Sequence, residues 1–228
     1  MLITTKITCG HAEKSPITEE VPFLQTACKE LRDARGTLEP MPTAYIGMGA
    51  NLASTAGPPP ATLAAAALRL EALGCLTARS SLYSTEPVGF AAQPRFVNAV
   101  VALETELDPH ALLTHLLAIE RDFGRDRAAS FPNGPRTLDL DILLYGDLVL
   151  TAPDLEIPHP RLADRAFVLI PLCQIAPHRV DARSQATVSQ LLHDLQHRLR
   201  SETDAVVAIQ SDSWHAGPGS GGAAPRPA

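Results

Sequence analysis

The chain has 228 residues, and 45% of them are hydrophobic, which is enough to build the core of one large domain or two small ones. The net charge of −6, without any basic run, argues against a nucleic-acid-binding surface, because such a surface must neutralise many phosphates. No apolar stretch is long enough for a signal peptide or a membrane span, so we expect a cytoplasmic protein with no membrane partner. The four cysteines form no CxxC pair, so we expect free thiols rather than a zinc cluster.

The two ends of the chain differ in composition from the middle. Residues 1–42 show no lasting apolar period and form an N-terminal extension. Because Met41 directly precedes a strand-like stretch, two interpretations stay open: a poorly ordered native extension, or a start called too far upstream. Residues 211–228 are rich in Gly, Pro, Ala and Ser, and we expect a disordered tail there. The folded domain is therefore expected over residues 43–210.

Between these ends, strand-like and helix-like stretches alternate. The pattern predicts strands in TAYIGMGA (43–50), CLTARSSLYST (75–85), RFVNAVVALET (95–105) and TLDLDILLY (137–145). It predicts helices in GPPPATLAAAALRLEAL (57–73), DPHALLTHLLAIERDFG (108–124), DRAFVLIPLCQIA (164–176) and TVSQLLHDLQHRLR (187–200). The order of the first six elements, βαββαβ, predicts an α/β fold of the α+β kind: a ferredoxin-like sheet with helices on one face, extended by additional helices.

The predicted strand TLDLDILLY contains two aspartates two residues apart. Residues at that spacing point the same way, so Asp139 and Asp141 lie side by side, while Leu138, Leu140 and Ile142 face the core. At a separation of about 6 Å and an effective dielectric near 20, the two charges repel each other by roughly 2 to 3 kcal/mol. A shared proton, a bound arginine or a divalent cation such as Mg²⁺ could offset this repulsion. The alternative is a solvent-facing strand surface on which water screens the two charges.

Basic residues are concentrated in two loops that flank this strand. They lie in GRDRAASFPNGPR (124–136) and IPHPRLADRAF (157–167), and they are Arg125, Arg127, Arg136, His159, Arg161 and Arg165. The planar guanidinium group matches the oxygens of a phosphate, so arginines beside a carboxylate-bound metal favour a polyphosphate site. Surface salt bridges to nearby aspartates are the alternative. No GxxxxGK[ST] or GxGxxG motif is present, which argues against a P-loop enzyme or a Rossmann fold.

Several stretches together resemble one family, the 6-hydroxymethyl-7,8-dihydropterin pyrophosphokinases of folate biosynthesis. They are AYIGMGANL, YSTEPVGFAAQPRFVNAVVALET, AIERDFGRDR, GPRTLDLDILLYGD and IPHPRLADRAFVLIPLCQIAP, and they cover about residues 44–177 in the family's order. The resemblance implies a ferredoxin-like fold, two Mg²⁺ ions, and transfer of the diphosphoryl group of ATP to the hydroxyl of the pterin, with AMP as second product. We also expect a monomer whose partners are these small molecules.

The resemblance also implies roles for particular residues. The metal ligands are expected to be Asp139 and Asp141, which act in catalysis with Arg125 and Arg136. The ATP-binding residues are expected to be Glu120, Arg127, His159 and Arg165. The pterin-binding residues are expected to be Gly49, Thr85, Pro87, Val88, Phe96, Asn98 and Phe167. The residues themselves agree in part, because Phe96 and Asn98 share one face of a strand, where a flat ring could stack on one and hydrogen-bond to the other.

The chain departs from the family pattern at two places. The loop AASFPNG (128–134) lacks the tryptophan and basic residues that some members carry, and Glu86 stands where the family has the first of two prolines. A catalytically inactive nucleotide- or pterin-binding module of the same fold is the main alternative function. A metal-dependent nucleotidyl transferase that releases pyrophosphate is a further one.

Overall fold

The computed structural model of the protein describes residues 41–87, 89–127, 133–198 and 206–215. These residues form eight strands: β1 Thr43–Ala50, β2 Cys75–Arg79, β3 Leu82–Thr85, β4 Phe96–Glu104, β5 Asp139–Tyr145, β6 Leu150–Thr151, β7 Glu156–Ile157 and β8 Val207–Ile209. They also form five α-helices: α1 Pro59–Leu70, α2 Pro109–Asp122, α3 Ala166–Ile175, α4 Val188–Arg198 and α5 Asp212–His215.

The main sheet is antiparallel and has the order β5-β1-β4-β3-β8, while β2 also pairs with β4. Because β2 and β3 pair with different parts of β4, they act as one interrupted strand. The first four strand positions then have the order β5-β1-β4-β2/β3. This is the order that a βαββαβ ferredoxin-like unit forms, so the fold predicted from the sequence is confirmed.

The stretch 75–85, expected as one strand, is interrupted at Ser80 and Ser81. The backbone N–H of Ser80 donates to the Val100 carbonyl at 2.9 Å. In return, the Val100 N–H donates to the Ser80 hydroxyl, also at 2.9 Å, rather than to a backbone carbonyl. The Ser80 hydroxyl thus takes the place of one backbone carbonyl in the hydrogen bonding between the strands, which the alternation of polar and apolar residues does not predict.

Two hydrophobic clusters cover the two faces of the sheet. The first lies under α1 and α2 and includes Leu63, Leu70, Leu112 and Leu116, together with one face of β4 and β5. The second lies under α3 and α4 and includes Leu169, Leu172, Leu192 and Leu195. The additional helices therefore pack on the opposite face from α1 and α2, and part of that second face is left uncovered beyond the start of α3.

The start and end of α2 lie where the capping residues of the sequence predict them. Asp108 caps the helix, because its Oδ1 accepts hydrogen bonds from the backbone N–H groups of His110 (2.9 Å) and Ala111 (3.0 Å). Pro109 occupies the first turn, and Gly124 takes a φ of 82° just beyond the end. These signals fix the position of the helix, whose last turn carries Glu120 toward β5.

The described structure continues into the region expected to be disordered. Strand β8 pairs with β3, and Trp214 in α5 is only 3% exposed, within the first core cluster. Residues 211–215 of the expected tail are therefore described, and one of them, Trp214, is buried. Residues 1–40 and 216–228 lie outside the described residues.

Two further expectations concern cysteines and membranes. Cys75 and Cys173 are disulfide-bonded, so the expectation of free thiols is wrong for these two residues. Pairing depends on which positions the fold brings together, and spacing along the chain does not reveal it. Within the described part of the chain, no helix has the length and apolarity that crossing a membrane requires.

Candidate active site

A cavity of about 650 Å³ opens on the second face of the sheet, where β1, β4 and β5 meet the loop before α3. The walls come from strands that are far apart in sequence, so the site is formed by the sheet rather than by one loop. Ten of the residues predicted for the site line this cavity: Gly49, Thr85, Phe96, Asn98, Arg136, Asp139, Asp141, His159, Arg165 and Phe167.

Strand β5 presents its two aspartates to the cavity. Leu138, Leu140 and Ile142 alternate with them and are at most 3% exposed in the first core cluster, as the sequence predicts. The neighbouring strand β1 places Gly49 and Gly47 opposite Asp139 and Asp141. These glycines keep the floor of the cavity open.

Asp139 is held by two arginines. Arg125 Nη1 contacts Asp139 Oδ1 and also donates to the Leu138 carbonyl at 2.8 Å. Arg136 Nη1 donates to Asp139 Oδ2 at 2.6 Å. Burial alone would raise the pKa of Asp139, but the two guanidinium groups outweigh it and lower the pKa. Asp139 is therefore ionised and neutralised by protein groups.

Asp141 has a different environment from Asp139. Among the described residues, no side chain donates a hydrogen bond to it, and Arg165 acts on it only through its charge. Burial first, and then the charge of Asp139, raise the pKa of Asp141 to about 6. The carboxylate pair therefore combines one group that is already neutralised with one whose charge still lacks a close partner.

Glu120 lies behind β5 and not on the cavity wall. It is 1% exposed, accepts hydrogen bonds from Arg127 Nη2 (2.6 Å) and Nε (3.0 Å), and accepts another from the Leu140 N–H at 2.8 Å. Arg125 and Arg127 likewise do not line the cavity, although Arg125 reaches it through Asp139. In this arrangement Glu120 ties two arginines to the strand that carries the aspartates.

Positive charge accumulates on the opposite wall of the same end. His159 is positioned by its backbone N–H, which donates to the Leu143 carbonyl at 2.9 Å, and its Nδ1 accepts the Arg161 N–H at 3.1 Å. Burial, followed by the charges of Arg165 and Arg161, lowers the pKa of His159 to about 4. Burial and Arg161 also lower the pKa of Arg165. Such crowding of like charge is relieved when an anion binds.

The other end of the cavity, here called the neutral end, presents an amide, a hydroxyl and two aromatic rings. Asn98 and Thr85 are buried, and Asn98 Nδ2 donates to Thr85 Oγ1 at 2.8 Å. Phe96 and Phe167 also line the cavity, and each ring lies within 5.6 Å of an arginine Cζ. These groups offer flat apolar surfaces beside one amide whose hydrogen-bonding direction is fixed. Pro87 does not line the cavity, and Val88 lies outside the described residues.

Some cavity residues were not among the predicted site residues. They include Gly47, Glu86, Asn133, Arg161 and Asp164. Arg161 belongs to the arginine cluster of the flanking loops, and that clustering was the available signal. Asn133 is different, because its φ of 59° and its hydrogen bond to Gln93 (Nε2 to the Asn133 carbonyl, 2.8 Å) arise from the meeting of two loops. Residues 128–132 of the divergent loop lie outside the described residues.

The ferredoxin-like sheet places paired carboxylates and arginines at one end of the cavity, and aromatic rings with an amide at the other. Carboxylates and arginines are the groups with which phosphate-transferring enzymes position and neutralise their substrates, so the site indicates an enzyme of this class. The family model described as 7,8-dihydro-6-hydroxymethylpterin-pyrophosphokinase (HPPK) matches residues 45–177. The chain belongs to this family, and it is a transferase of the pyrophosphokinase type, as the resemblance predicted.

Individual relatives agree with this assignment. The 2-amino-4-hydroxy-6-hydroxymethyldihydropteridine pyrophosphokinase of Pseudomonas aeruginosa is 48% identical over 135 residues, covering 58% of this chain and 80% of the relative. The enzyme of the same name from Haemophilus influenzae is 40% identical over 161 residues, covering 70% of this chain and 97% of the relative. The folate synthesis bifunctional protein of Arabidopsis thaliana is 50% identical over 117 residues, covering 50% of this chain but only 21% of the relative.

Solved structures show the same fold. The wild-type HPPK-DHPS of Plasmodium falciparum superposes with a TM-score of 0.56 at 15% identity, covering 74% of this chain and 47% of that one. An HPPK-DHPS in complex with substrates gives a TM-score of 0.56 at 14% identity, covering 72% of this chain and 45% of that one. The chain therefore spans about half the length of these two-part proteins.

Proposed function

We propose that this protein transfers the diphosphoryl group of ATP to the hydroxyl of 6-hydroxymethyl-7,8-dihydropterin in a Mg²⁺-dependent reaction that yields AMP and the pterin diphosphate. The observation that carries the proposal is the division of one cavity into a charged end and a neutral end. A polyphosphate needs the first, and a flat heterocycle needs the second.

The donor set at the charged end fits magnesium. Asp139 and Asp141 supply hard carboxylate oxygens on one face of β5, and the described residues contain no group of three His, Cys, Asp or Glu side chains that would complete a protein cage. Mg²⁺ characteristically takes one or two carboxylates and fills its remaining positions with phosphate oxygens and water. Two bound Mg²⁺ ions would supply charge neutralisation for the triphosphate.

The arginines would bind the phosphates and orient them. Arg136 lines the cavity, and both Arg136 and Arg125 contact Asp139, so a phosphate oxygen that binds beside that carboxylate would lie near both guanidinium groups. Arg165, Arg161 and the neutral His159 line the opposite wall, where the crowded charges of the two arginines favour the nucleotide. Arg127 would join them from its place beside Glu120, while Glu120 would act by holding the arginines.

The neutral end would bind the pterin. Since the Asn98 amide nitrogen donates to Thr85, its Oδ1 is left as an acceptor for an N–H group on the edge of the ring. A Cβ at Gly49 would lie 3.1 Å from that Oδ1, so glycine leaves the acceptor accessible. Phe96 and Phe167 would pack on the faces of the ring, and the backbone near Thr85, Pro87 and Val88 would contact its edge.

The chemistry would depend on positioning rather than on a protein nucleophile. The pterin hydroxyl would attack the β-phosphorus of ATP in line with the departing AMP and would release its proton to an aspartate of the pair or to water. The arginines and carboxylates would hold the reactants. Phosphoryl-type transfer requires this combination of alignment and charge neutralisation. Among the described residues, the cavity wall contains no serine, cysteine or lysine that would form a covalent intermediate.

The decisive experiment identifies the nucleotide product. Purified full-length protein is incubated with ATP, Mg²⁺ and the dihydropterin, and the nucleotides are separated by chromatography. We expect AMP in a 1:1 ratio with pterin diphosphate, and none in a matched Asp141→Asn variant. Release of ADP would overturn diphosphoryl transfer, and release of pyrophosphate would indicate a nucleotidyl transferase. Binding of both substrates without any product would identify an inactive binding module.

The expectation of a monomer stays a prediction. Light scattering coupled to size-exclusion chromatography tests it, and a mass close to 24.3 kDa is the expected result.

A further inference from the structure

We propose that residues 206–215, here called the C-terminal strap, act as a positioning element for the neutral end of the cavity, with Trp214 as its anchor. The strap lies outside residues 45–177, which match the family. The inference rests on the proposed function, because it concerns how the pterin-binding groups are held in place.

The strap completes the edge of the sheet that carries Thr85. Strand β8 pairs antiparallel with β3, placing Ile209, Ala208 and Val207 opposite Leu82, Tyr83 and Ser84. Without this pairing, β3 would be a four-residue edge strand bound on one side only, and such short edges fray easily. Thr85 is the next residue after the last paired position.

Trp214 anchors the strap where the strand is weakest. Its indole Nε1 donates to the Ser80 carbonyl at 2.8 Å, at the interruption between β2 and β3. The ring is 3% exposed in the first core cluster, and the Arg79 guanidinium lies 5.8 Å from the ring centre. Ser80 is therefore bonded on one side to the strap and on the other to Val100 in β4.

A second anchor holds the same interruption from the other face of the sheet. Gln174 in α3 accepts a hydrogen bond from the Ser81 N–H at 2.8 Å through its Oε1, and it donates to the Ser81 hydroxyl at 2.9 Å. The two anchors act on adjacent residues. Removing Trp214 would leave Gln174 and the pairing with β8 as the supports of β3 besides β4, so β3 should loosen without being lost.

This arrangement connects Trp214 to the cavity through a short series of contacts. Ser80 bonds Val100, which lines the cavity two residues from Asn98 on the same face of β4. Strand β3 continues from the interruption to Thr85, which receives the hydrogen bond that orients Asn98. A looser β3 would move Thr85 and release the amide, whereas the charged end on β5 lies on the far side of β1 and β4. The strap should therefore affect the pterin and not ATP.

The test measures the two substrates separately by calorimetry on full-length variants. Trp214→Phe keeps an aromatic ring but removes the donor, and Trp214→Ala removes both. Dihydropterin is titrated with and without Mg²⁺ and a non-hydrolysable ATP analogue, and the analogue is also titrated alone. We expect the Kd of the pterin to rise at least tenfold in Trp214→Ala and two- to fivefold in Trp214→Phe. The Kd of the ATP analogue should stay within twofold of its value for the unsubstituted protein.

A matched control separates positioning from general destabilisation. Leu191→Ala removes a buried side chain of α4 in the second core cluster, away from the strap and the cavity wall. We expect it to lower the melting temperature while leaving both Kd values within twofold. Equal pterin affinity in the original protein and both Trp214 variants would overturn the inference, as would a parallel loss of both ligands. If the original protein fails to bind the pterin at all, the proposed function fails instead.

Discussion

The two ends of the cavity differ in how their polar groups are satisfied before any substrate is present. At the charged end, Asp139 is held by arginines that could exchange it for phosphate, while Asp141 has a raised pKa and no hydrogen-bond donor among the described residues. At the neutral end, Asn98 and Thr85 are buried and already bonded in one geometry. The charged end thus keeps one carboxylate without a donor for a new partner, whereas the polar groups of the neutral end are held in one geometry.

Removing either carboxylate tests the exchangeable end most directly and should have the largest effect on turnover. Charge stabilisation at a metal site contributes several kcal/mol to the transition state, so Asp139→Asn and Asp141→Asn should each lower kcat by about 10³-fold or more. Initial rates of AMP release at saturating Mg²⁺ measure this. Near-normal turnover in either variant would remove that aspartate from the proposed metal site.

Replacing Asp139 and replacing Asp141 should change the free energy of unfolding in opposite directions. Asp139→Ala removes the carboxylate that both Arg125 and Arg136 contact, which should lower the free energy of unfolding by about 3 kcal/mol. Asp141 is different, because its pKa is raised in the folded protein, so its ionised form opposes folding at pH 7. Asp141→Asn should therefore raise the free energy of unfolding by about 1 to 2 kcal/mol. Urea unfolding at pH 7 measures both changes. Equal losses of stability in the two variants would show that Asp139 and Asp141 have similar environments.

The sequence predicts the carboxylate face of β5 because strand alternation has a fixed period of two, and both Asp139 and Leu140 follow it. It does not predict that Arg136 and Arg125, three and fourteen residues away, reach the same carboxylate, because that depends on how the intervening loop closes. Trp214 was missed for another reason. It lies at the start of a stretch rich in Gly, Pro, Ala and Ser, and the average composition of that stretch hides a single buried ring.

Gly49 allows a test of the fixed end, with a smaller expected effect. In Gly49→Ala the new Cβ would lie 3.1 Å from Asn98 Oδ1, tight enough to displace the amide by a few tenths of an ångström, but 3.9 Å from Asp139 Cβ, an ordinary contact. We expect pterin KM to rise about tenfold, the value of one hydrogen bond of about 1.4 kcal/mol, with ATP KM nearly unchanged. Steady-state kinetics with each substrate varied in turn measure the two constants. Equal increases in both would show that the ends of the cavity are not independent.

His159 gives a predicted effect of similar size, and this effect concerns pH. Its pKa is lowered to about 4 in the folded protein, whereas the unfolded chain takes up a proton near 6.5. The unfolded state therefore binds more protons between these values, and stability falls as the pH drops from 6.5 toward 4. Between pH 7 and pH 5, the free energy of unfolding should fall by about 1 to 2 kcal/mol more in the unsubstituted protein than in the His159→Gln variant, after allowance for solvent screening. Urea unfolding at both pH values measures this difference. Identical losses of stability in the two proteins would mean that His159 takes up a proton in the folded protein as readily as in the unfolded chain.

The contact between Trp214 and Ser80 also has a consequence for folding during synthesis. It joins residues 134 positions apart, so its loop-closure entropy is high and it cannot form until residue 214 has left the ribosome. The strands that carry the carboxylates are complete much earlier, since β5 ends at Tyr145. A nascent chain would thus contain every residue of the charged end before the edge beside Thr85 can close.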